Sequence, residues 1–378
     1  VLPGRCVNGS GSVSQDVDGP KPLPLRCVWV APMDANVLGR EDTMTTGWGR
    51  ALGMMVGLLA LGATSACGHK VNVGYTMPAE IDLPADVQRV VVVNRALPKN
   101  AGESLLDAAE GWATGEGFET DHDTTELALQ ALLSVLDDTE RFEIVPVVVS
   151  PDEAGTSLFD KPMDSRTVKQ LCRRHDCDAI VSLDSLDTDS AGIVVRTGDV
   201  HEGQTDTSMN ARFRVYDGET GYVLDEARLG GFVSTDAAGD RDTAIVAATQ
   251  GASHQADLSY GAGLEYGMRI APHDVMAQRA YYKTGDARLR DAKRAVKAGR
   301  WREAKQIWRD LKKGSDATLA AKATYNLAVA AEVEGRLERA HALAQAAARA
   351  YSRSRTHGYA ATMDLRLEQQ ARLEEQLR

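Results

Sequence analysis

The apolar segment at residues 51–63 constrains this chain of 378 residues more than any other stretch. One positive charge, Arg50, precedes it, and small residues follow it at 64–66. The segment is too short to cross a membrane as a helix, which takes about 20 residues. A charged start, a short apolar run and small residues are the order of a bacterial export signal. Residues 44–66 are therefore predicted to be a signal peptide.

Cys67 directly follows the small residues, as the lipidated cysteine does in a lipobox. We therefore predict that its thiol carries a lipid anchor in the bacterial cell envelope, on the periplasmic side of the outer membrane. Thr64 departs from the leucine that lipoboxes usually carry. An ordinary secretory signal followed by a chance cysteine stays open as the alternative.

The stretches on either side of the signal show no helical or strand period. Residues 1–43 are rich in Gly, Pro, Ser and Asp, which predicts a disordered extension upstream of a true start at Met44. Residues 67–87 contain Pro78 and Pro84, which predicts an extended tether between the lipid and the first domain.

The overall charge limits the kinds of partner. A net charge of −11 argues against nucleic-acid binding, and 43% hydrophobic residues are enough to build the cores of about two domains. Residues 288–313 are strongly basic, however. Such a helical face either meets anionic lipid, meets an acidic partner or is only solvated.

Two cysteines lie close together in the middle of the chain, Cys172 and Cys177. In an oxidising periplasm they predict a disulfide. Two free buried thiols remain an alternative, as does a metal site with His175, although no fourth ligand is in view.

Apolar runs and helical patterns alternate between residues 88 and 270, which predicts a first domain there. Strands are expected at 89–94, 142–149, 178–183 and 193–196, helices after a capping box at Asp123 and at 165–175, and a hairpin at 209–216 and 222–232. Along the first hairpin arm, Asn210, Arg212 and Arg214 face away from the apolar side. This order predicts an α/β sandwich with a mixed sheet.

Three short motifs accompany these elements: RFEIV after the first helix, DAIVSL after the second, and a turn with Asp217, Thr220 and Gly221. They resemble a group of periplasmic lipoprotein domains that includes the penicillin-binding-protein activator type, the curli-secretion type and the amino-terminal domain of the translocation protein TolB. The resemblance implies a fold and does not identify a partner.

Helical patterns continue to the end of the chain. We expect a helix at 242–260 and another that starts near Pro272 and carries Val275, Met276, Ala280 and Tyr281. From residue 288 onward the helical period is continuous.

Two segments of this last part match with Gly299 and Gly335 in equivalent places, 36 residues apart. The pattern of small residues at helix contacts, glycine at the turn and bulky residues between is that of tetratricopeptide repeats, whose usual period is 34. The repeat-defining residues are Gly299, Trp301, Ala304, Trp308, Leu327, Ala328, Gly335, Leu337, Ala340 and Ala344.

Residues 271–378 are therefore predicted to form an all-α tetratricopeptide-like helical repeat domain. Because a stable array normally has at least three repeats, the helices near 274–297 and 356–377 are expected to be caps. The final helix is equally open as a partner-binding or self-associating helix.

The tether, PAEIDLP, VVVVNR, TGEGFETD, the α/β core and the terminal repeats together are similar to an uncharacterised lipoprotein family of Bacteroidota-type bacteria. In that family a domain of unknown function precedes tetratricopeptide repeats. The resemblance spans residues 78–350, and its most specific pieces are TGEG followed by Asp121 and YNLAVAAEVEG at 325–335. It carries over no catalytic residues.

No set of residues predicts an enzyme, a metal site or a cofactor. Glu116, Asp121, His122 and Asp123 form a dense polar cluster, but without the regular spacing of a calcium loop, and Asp123 is explained as a helix cap. The other histidines considered, His201, His254 and His273, are scattered and have no predictable partners.

These observations predict a lipid-anchored, non-enzymatic scaffold or adaptor that binds envelope proteins through its helical repeats. A small-ligand or peptidoglycan-binding protein with a site on the α/β domain is the first alternative. A purely structural spacer is the second.

Overall fold

The computed structural model describes residues 70–96, 124–147, 149, 151–155 and 161–378. This part of the chain divides into two compact units. The sheet unit contains residues 78–273 and the last four residues, 375–378. The helical unit contains residues 70–77 and 274–374.

Strands and helices alternate in the first part of the described residues, and the last part is helical. The strands are β1 (Lys70–Met77), β2 (Arg89–Asn94), β3 (Glu143–Ile144), β4 (Ala179–Thr197), β5 (Val200–Asp217), β6 (Val223–Gly239) and β7 (His273–Ala280). The helices of the sheet unit are α1 (Thr124–Asp137), α2 (Pro151–Ala154), α3 (Ser165–His175), α4 (Arg241–Ala248) and α5 (Gly251–Ile270). The later helices are α6 (Ala287–Lys297), α7 (Trp301–Lys312), α8 (Ala317–Val333), α9 (Leu337–Ala350) and α10 (Ser354–Gln376).

The sheet unit is built on a five-stranded mixed sheet in the order β3-β2-β4-β5-β6. β2 is parallel to β3 and β4, whereas β4, β5 and β6 are antiparallel. On one face, Leu132 and Tyr266 of α1 and α5 pack against Phe213 of β5. On the other face, Val168 of α3 packs against Ile180 of β4. The predicted mixed-sheet domain followed by a helical region is confirmed.

The last three strands of the sheet extend far beyond its core. Only residues 179–183 of β4 pair with β2, and the rest of β4 continues with β5 and β6 as a three-stranded ribbon. The prediction of a separate short strand at 193–196 is therefore wrong, and the predicted hairpin arms are too short. Polar side chains on most ribbon positions leave no apolar alternation from which to recognise the strand.

Three further predictions differ from the structure. The helix expected from Pro272 is wrong, because residues 273–280 form β7 and satisfy their backbone hydrogen bonds in a ladder with β1. The predicted tether therefore contains a strand at 70–77. The expected helix at 242–260 is two helices, α4 and α5, and the strand at 142–149 is only β3.

The helical unit repeats one turn at an offset of 36 residues. The amides of Gly299 and Arg300 donate to the carbonyls of Val296 and Ala295, and those of Gly335 and Arg336 donate to Glu332 and Ala331. These are two Schellman turns, in which the glycine takes a left-handed conformation, with φ of 72° at Gly299 and 70° at Gly335. Each turn reverses the chain between two antiparallel helices, α6 to α7 and α8 to α9.

None of the described helices combines the length and the apolar character that a membrane crossing requires.

Candidate functional site

Several predicted site residues lie outside the described residues. These are the lipidation site Cys67 and the polar cluster Glu116, Asp121, His122 and Asp123. Within the part of the chain that the structure describes, no three His, Cys, Asp or Glu side chains come together as a metal site.

Cys172 and Cys177 are joined by a disulfide that links the last turn of α3 to the residues before β4, with their Cα atoms 4.5 Å apart. Asp176 between them takes a left-handed conformation with φ of 54°, and its amide donates to the carbonyl of Cys172. The bridge closes a short loop at the point where α3 ends, and its role is structural.

Removing this disulfide by Cys172→Ser is expected to lower the free energy of unfolding by roughly 2 kcal/mol, the loop-closure value for a short loop. Urea denaturation of the two proteins measures the difference. Peptide mapping after alkylation provides the control, because Cys172 and Cys177 should react only after reduction. Complete alkylation of both residues in the native, unreduced protein would contradict the bridge.

His254, which the sequence left without a partner, is buried in α5 and contacts two threonines of the ribbon. Its Nδ1 lies 3.4 Å from Oγ1 of Thr207, and its Nε2 lies 3.0 Å from Oγ1 of Thr235. The imidazole joins α5 to β5 and β6, which is a structural role.

A buried ionic cluster lies on the sheet face that α3 covers. Asp184 is the extra residue of a bulge in β4, between the pairing positions Leu183 and Ser185. Its carboxylate is fully buried and accepts hydrogen bonds from Arg95 Nη1 (2.6 Å) and from Arg214 Nη1. A bulge re-aims a side chain, and here it points a carboxylate at two guanidinium groups.

Further polar atoms complete the cluster. Ser182 Oγ donates to Asp184 at 2.8 Å, and the Tyr216 hydroxyl donates to it at 3.2 Å. Burial alone would lower the pKa of Arg214, but its hydrogen bond to Glu226 and the charge of Asp184 outweigh burial and raise that pKa above its usual value. All charges are therefore neutralised inside the protein, and the cluster fixes the sheet rather than exposing a reactive group.

The ribbon tip, which we define as Ile193, Val194, Val195 and Val200, exposes apolar side chains. Their exposed fractions are 55%, 44%, 48% and 45%. Thr197 pairs with Val200 and Val195 pairs with Glu202, so Val195 and Val200 are diagonal neighbours on one face of the ribbon. Contiguous exposed apolar side chains mark interaction sites more often than isolated ones do.

The two faces of the ribbon differ. One face is covered by α4, which approaches so closely that a Cβ on Gly203 would lie 1.8 Å from the Ala244 carbonyl oxygen. The opposite face carries a row of carboxylates beside the ribbon tip. These carboxylates belong to Asp187, Asp189, Glu202, Asp206 and Asp236.

Asp206 shows that this acidic face is ordered. It accepts hydrogen bonds from Ser234 Oγ (2.6 Å) and Gln204 Nε2 (3.0 Å), which lower the pKa of its carboxyl group. The uncovered face therefore combines Ile193, Val195 and Val200 of the ribbon tip with negative charge, whereas Val194 pairs with Gly203 and lies on the face that α4 covers. In the described residues no further strand pairs with the outer edges of β4 or β6 along the ribbon.

In the helical unit, α8 holds the extended chain that follows β7. The buried side chain of Asn326 accepts from the Tyr282 amide and donates to the Tyr282 carbonyl, both at 2.7 Å. One asparagine side chain therefore satisfies both backbone groups of an extended residue.

A buried ion pair attaches β7 to the same helix. The carboxylate of Glu332 accepts from Arg279 Nε (3.0 Å to each oxygen) and from the Tyr359 hydroxyl (2.8 Å). Beside it, the guanidinium of Arg366 lies 3.4 Å from the centre of the Tyr75 ring of β1. The β1–β7 pair is thus an integral part of the helical unit.

Most of the repeat-defining residues are buried in the helical unit. Ala304 and Ala340 are fully buried four residues after the turn residues Arg300 and Arg336. Of the others, Trp308, Ala328, Leu337 and Ala344 are buried, and Trp301 and Leu327 are half-buried against the core of the unit.

Sequence reasoning missed Asp184, Asn326, Glu332 and the ribbon tip. A single sequence gives no signal that a charged residue is buried, and an exposed apolar pair resembles an ordinary strand. For Asp184 one signal existed: Arg212 and Arg214 share a strand face with Tyr216, so a buried carboxylate opposite them was a reasonable expectation.

Comparison with known proteins gives two family matches by sequence. Residues 87–282 match the family described as domain of unknown function DUF8603, and residues 290–371 match the one described as domain of unknown function DUF6340. No curated protein matches the chain.

The solved structures that match the chain have low sequence identity and low TM-scores. PelC from Paraburkholderia phytofirmans, solved as a dodecamer, is 12% identical over 53% of this chain and 99% of its own, with a TM-score of 0.22. A hypothetical protein from Chlamydia trachomatis is 12% identical over 48% of this chain and 96% of its own, with a TM-score of 0.24. A lipoprotein from Neisseria meningitidis is 9% identical over 45% of this chain and 99% of its own, with a TM-score of 0.14.

Proposed function

The chain belongs to the family described as domain of unknown function DUF8603, and on that premise we propose that it is a membrane-anchored, non-enzymatic interaction protein of the bacterial cell envelope. The observation that carries the proposal is the ribbon tip, an apolar cluster at the end of a ribbon with two open edges. Proteins normally shield such edges, and an exposed one is a template for a partner.

The apolar and acidic side chains of the ribbon indicate which properties a partner needs. Full burial of an exposed Val or Ile side chain contributes about 1.5–3 kcal/mol. The ribbon-tip side chains are about half exposed, so covering each of them supplies roughly half of that value. The carboxylates on the same face as Ile193, Val195 and Val200 favour a protein that surrounds an apolar pocket with Lys or Arg. The partner that fits is an envelope protein with a basic-rimmed apolar pocket.

The helical unit is proposed to be a tetratricopeptide-like array, supported by the two Schellman turns at an offset of 36 residues and the buried Ala304 and Ala340. Such arrays bind protein segments. Here Asn326 already binds the chain's own Tyr282 backbone. We therefore place the principal docking site on the ribbon tip and treat the array as a second surface for envelope proteins.

The anchor in this proposal is a lipid on Cys67. Its support is the order of the export signal at 44–66, which ends in small residues directly before that cysteine. A lipid anchor would hold both units at one membrane surface, where the ribbon tip meets its partner.

Replacing the ribbon tip by Ile193→Thr, Val195→Thr and Val200→Thr is expected to reduce recovery of the partner from detergent-solubilised envelopes at least tenfold. Threonine keeps the β-branched shape that strands favour but removes the apolar surface that docking would bury. The measurement is affinity capture with the tagged full chain, followed by quantitative mass spectrometry.

Tyr222→Thr is the matched control, because Tyr222 is 73% exposed in the turn at the opposite end of the β5–β6 hairpin. This variant should capture the same partner as the wild type. If the tip variant captures it equally well, or if both variants lose it equally, docking at the ribbon tip is wrong.

A further inference from the structure

Two adjacent grooves on the helical unit share the side chain of Trp301. The first, of about 370 Å³, has a floor of Val71, Tyr281 and Val296 and the ammonium-bearing side chains of Lys70 and Lys297. The second, of about 530 Å³, follows the α6–α7 turn at residues 299–303. We call this combined region the basic groove.

The basic groove lies in the most positively charged part of an acidic protein. Residues 287–313 contain eleven Lys and Arg against three Asp and Glu, although the whole chain has a net charge of −11. Arg300 is paired with Glu303. Within the described residues, Lys70, Lys297 and Arg302 form no ion pair, so their charges are available to an anionic partner.

The position of β1 fixes the distance between the basic groove and the candidate lipid. Lys70 is the first residue of β1 and lines the groove, and it follows Cys67 by three residues. Three residues of extended chain reach at most about 11 Å. The predicted tether of some twenty residues is therefore not the spacer for this unit, because β1 is already part of it.

We propose that the basic groove rests on the anionic headgroups of the membrane in which Cys67 is anchored, with Trp301 at the headgroup level. This inference rests on the lipid anchor proposed above. Lys70, which lines the groove, lies within about one Debye length of the lipid attachment point at 0.1 M salt, so its attraction to a negative surface is not screened away. Tryptophan is enriched at the membrane–water interface, where its amphipathic ring contacts both apolar lipid and polar headgroups.

The experiment uses the full chain with Cys67→Ser, so that no lipid contributes. Its partition is measured by flotation on vesicles of phosphatidylcholine alone and of phosphatidylcholine with 30% phosphatidylserine. The ratio of the two partition coefficients cancels the contribution of residues 51–63, which is common to all variants. A ratio well above one at 0.1 M salt that approaches one at 1 M salt is expected, because the Debye length falls to about 3 Å.

Lys70→Glu, Lys297→Glu and Arg302→Glu together are expected to reduce that ratio by about 100-fold, since each basic residue near an anionic surface contributes about fivefold. The matched control carries Arg166→Glu, Arg173→Glu and Arg241→Glu, three exposed positions of the sheet unit with the same change in charge. It should keep most of the ratio. Circular dichroism confirms that both variants are folded.

A ratio near one for the Cys67→Ser protein, or an equal loss in the control, overturns the membrane contact. Mass spectrometry of the mature amino terminus tests the anchor separately. A lipidated Cys67 with no preference for anionic vesicles means that the anchor stands and the groove proposal fails. A preference for anionic vesicles without lipid on Cys67 means that the groove binds anionic membranes and the anchor fails.

Discussion

Replacing Asp184 with alanine is expected to destabilise the sheet unit by about 3–5 kcal/mol, the cost of leaving buried charges without their partner. Asp184 is fully buried and forms ion pairs with Arg95 and Arg214, whose side chains are only 4% and 2% exposed. Without the carboxylate, two guanidinium groups stay in the interior with less compensation. Native-state hydrogen exchange of the β4 and β5 amides measures the loss directly.

Asp187→Ala is the matched control, because Asp187 lies on the same strand but is exposed. It should change the exchange free energies by no more than about 0.5 kcal/mol. A combined Asp184→Leu, Arg95→Met and Arg214→Met variant should recover much of the lost stability, because apolar residues can replace a buried ionic cluster. A loss below about 1 kcal/mol for Asp184→Ala would show that the cluster is hydrated in solution.

Glu332→Ala is expected to release the β1–β7 pair from the helical unit at a cost of about 3–5 kcal/mol. The Glu332 side chain is 3% exposed and holds Arg279 of β7 and the Tyr359 hydroxyl of α10. Burial, together with the charge of Glu332, raises the pKa of Tyr359 well above its usual value, so that hydroxyl remains a donor across the accessible pH range. Hydrogen exchange of the β1 and β7 amides should accelerate far more than that of α9.

Two further variants sharpen this expectation. Glu332→Gln keeps one acceptor oxygen, replaces the other with an amide donor and loses the charge, so its cost should lie between those of wild type and Glu332→Ala. Glu338→Ala removes an exposed carboxylate in the first turn of α9 and should leave β1 and β7 protected from exchange. Equal protection of β1 in wild type and Glu332→Ala would mean that the strand pair is held by other contacts.

The parts of the fold that the sequence predicted well are those where burial leaves a periodic pattern. β2 reads as RVVVVN because both of its faces are covered, and α1 shows leucines at helical spacing. The equivalence of Gly299 and Gly335 was visible because a Schellman turn requires a left-handed residue at one position. In each case the local sequence preference and the packing in the fold favour the same structure.

The ribbon and β7 could not be predicted for the opposite reason. The ribbon lies largely outside the core, so most of its residues are polar and carry no strand period. The apolar residues after Pro272 fit a helix locally, but pairing with β1, some two hundred residues earlier in the chain, decides the outcome. Such long-range pairing is absent from any local pattern.

The candidate sites were the least predictable features. Asp184 and Glu332 look like ordinary charged residues, and only the fold shows that each is buried against arginine. Likewise, the basic stretch after residue 287 was recognised as a helical face, but its proximity to Cys67 depends on β1 entering the helical unit. These candidate sites therefore depend on where the fold places their residues and not on a sequence motif.

Site-specific photo-crosslinking from the ribbon tip tests whether an envelope protein docks there. Benzoylphenylalanine replaces Val195 in one strain and Tyr222 in another, and the full chain is expressed in the living bacterium before irradiation. Docking at the ribbon tip predicts a discrete crosslinked adduct with one envelope protein from position 195 and none from position 222. An absence of adduct at position 195, or the same adduct from both positions, would contradict docking at the ribbon tip.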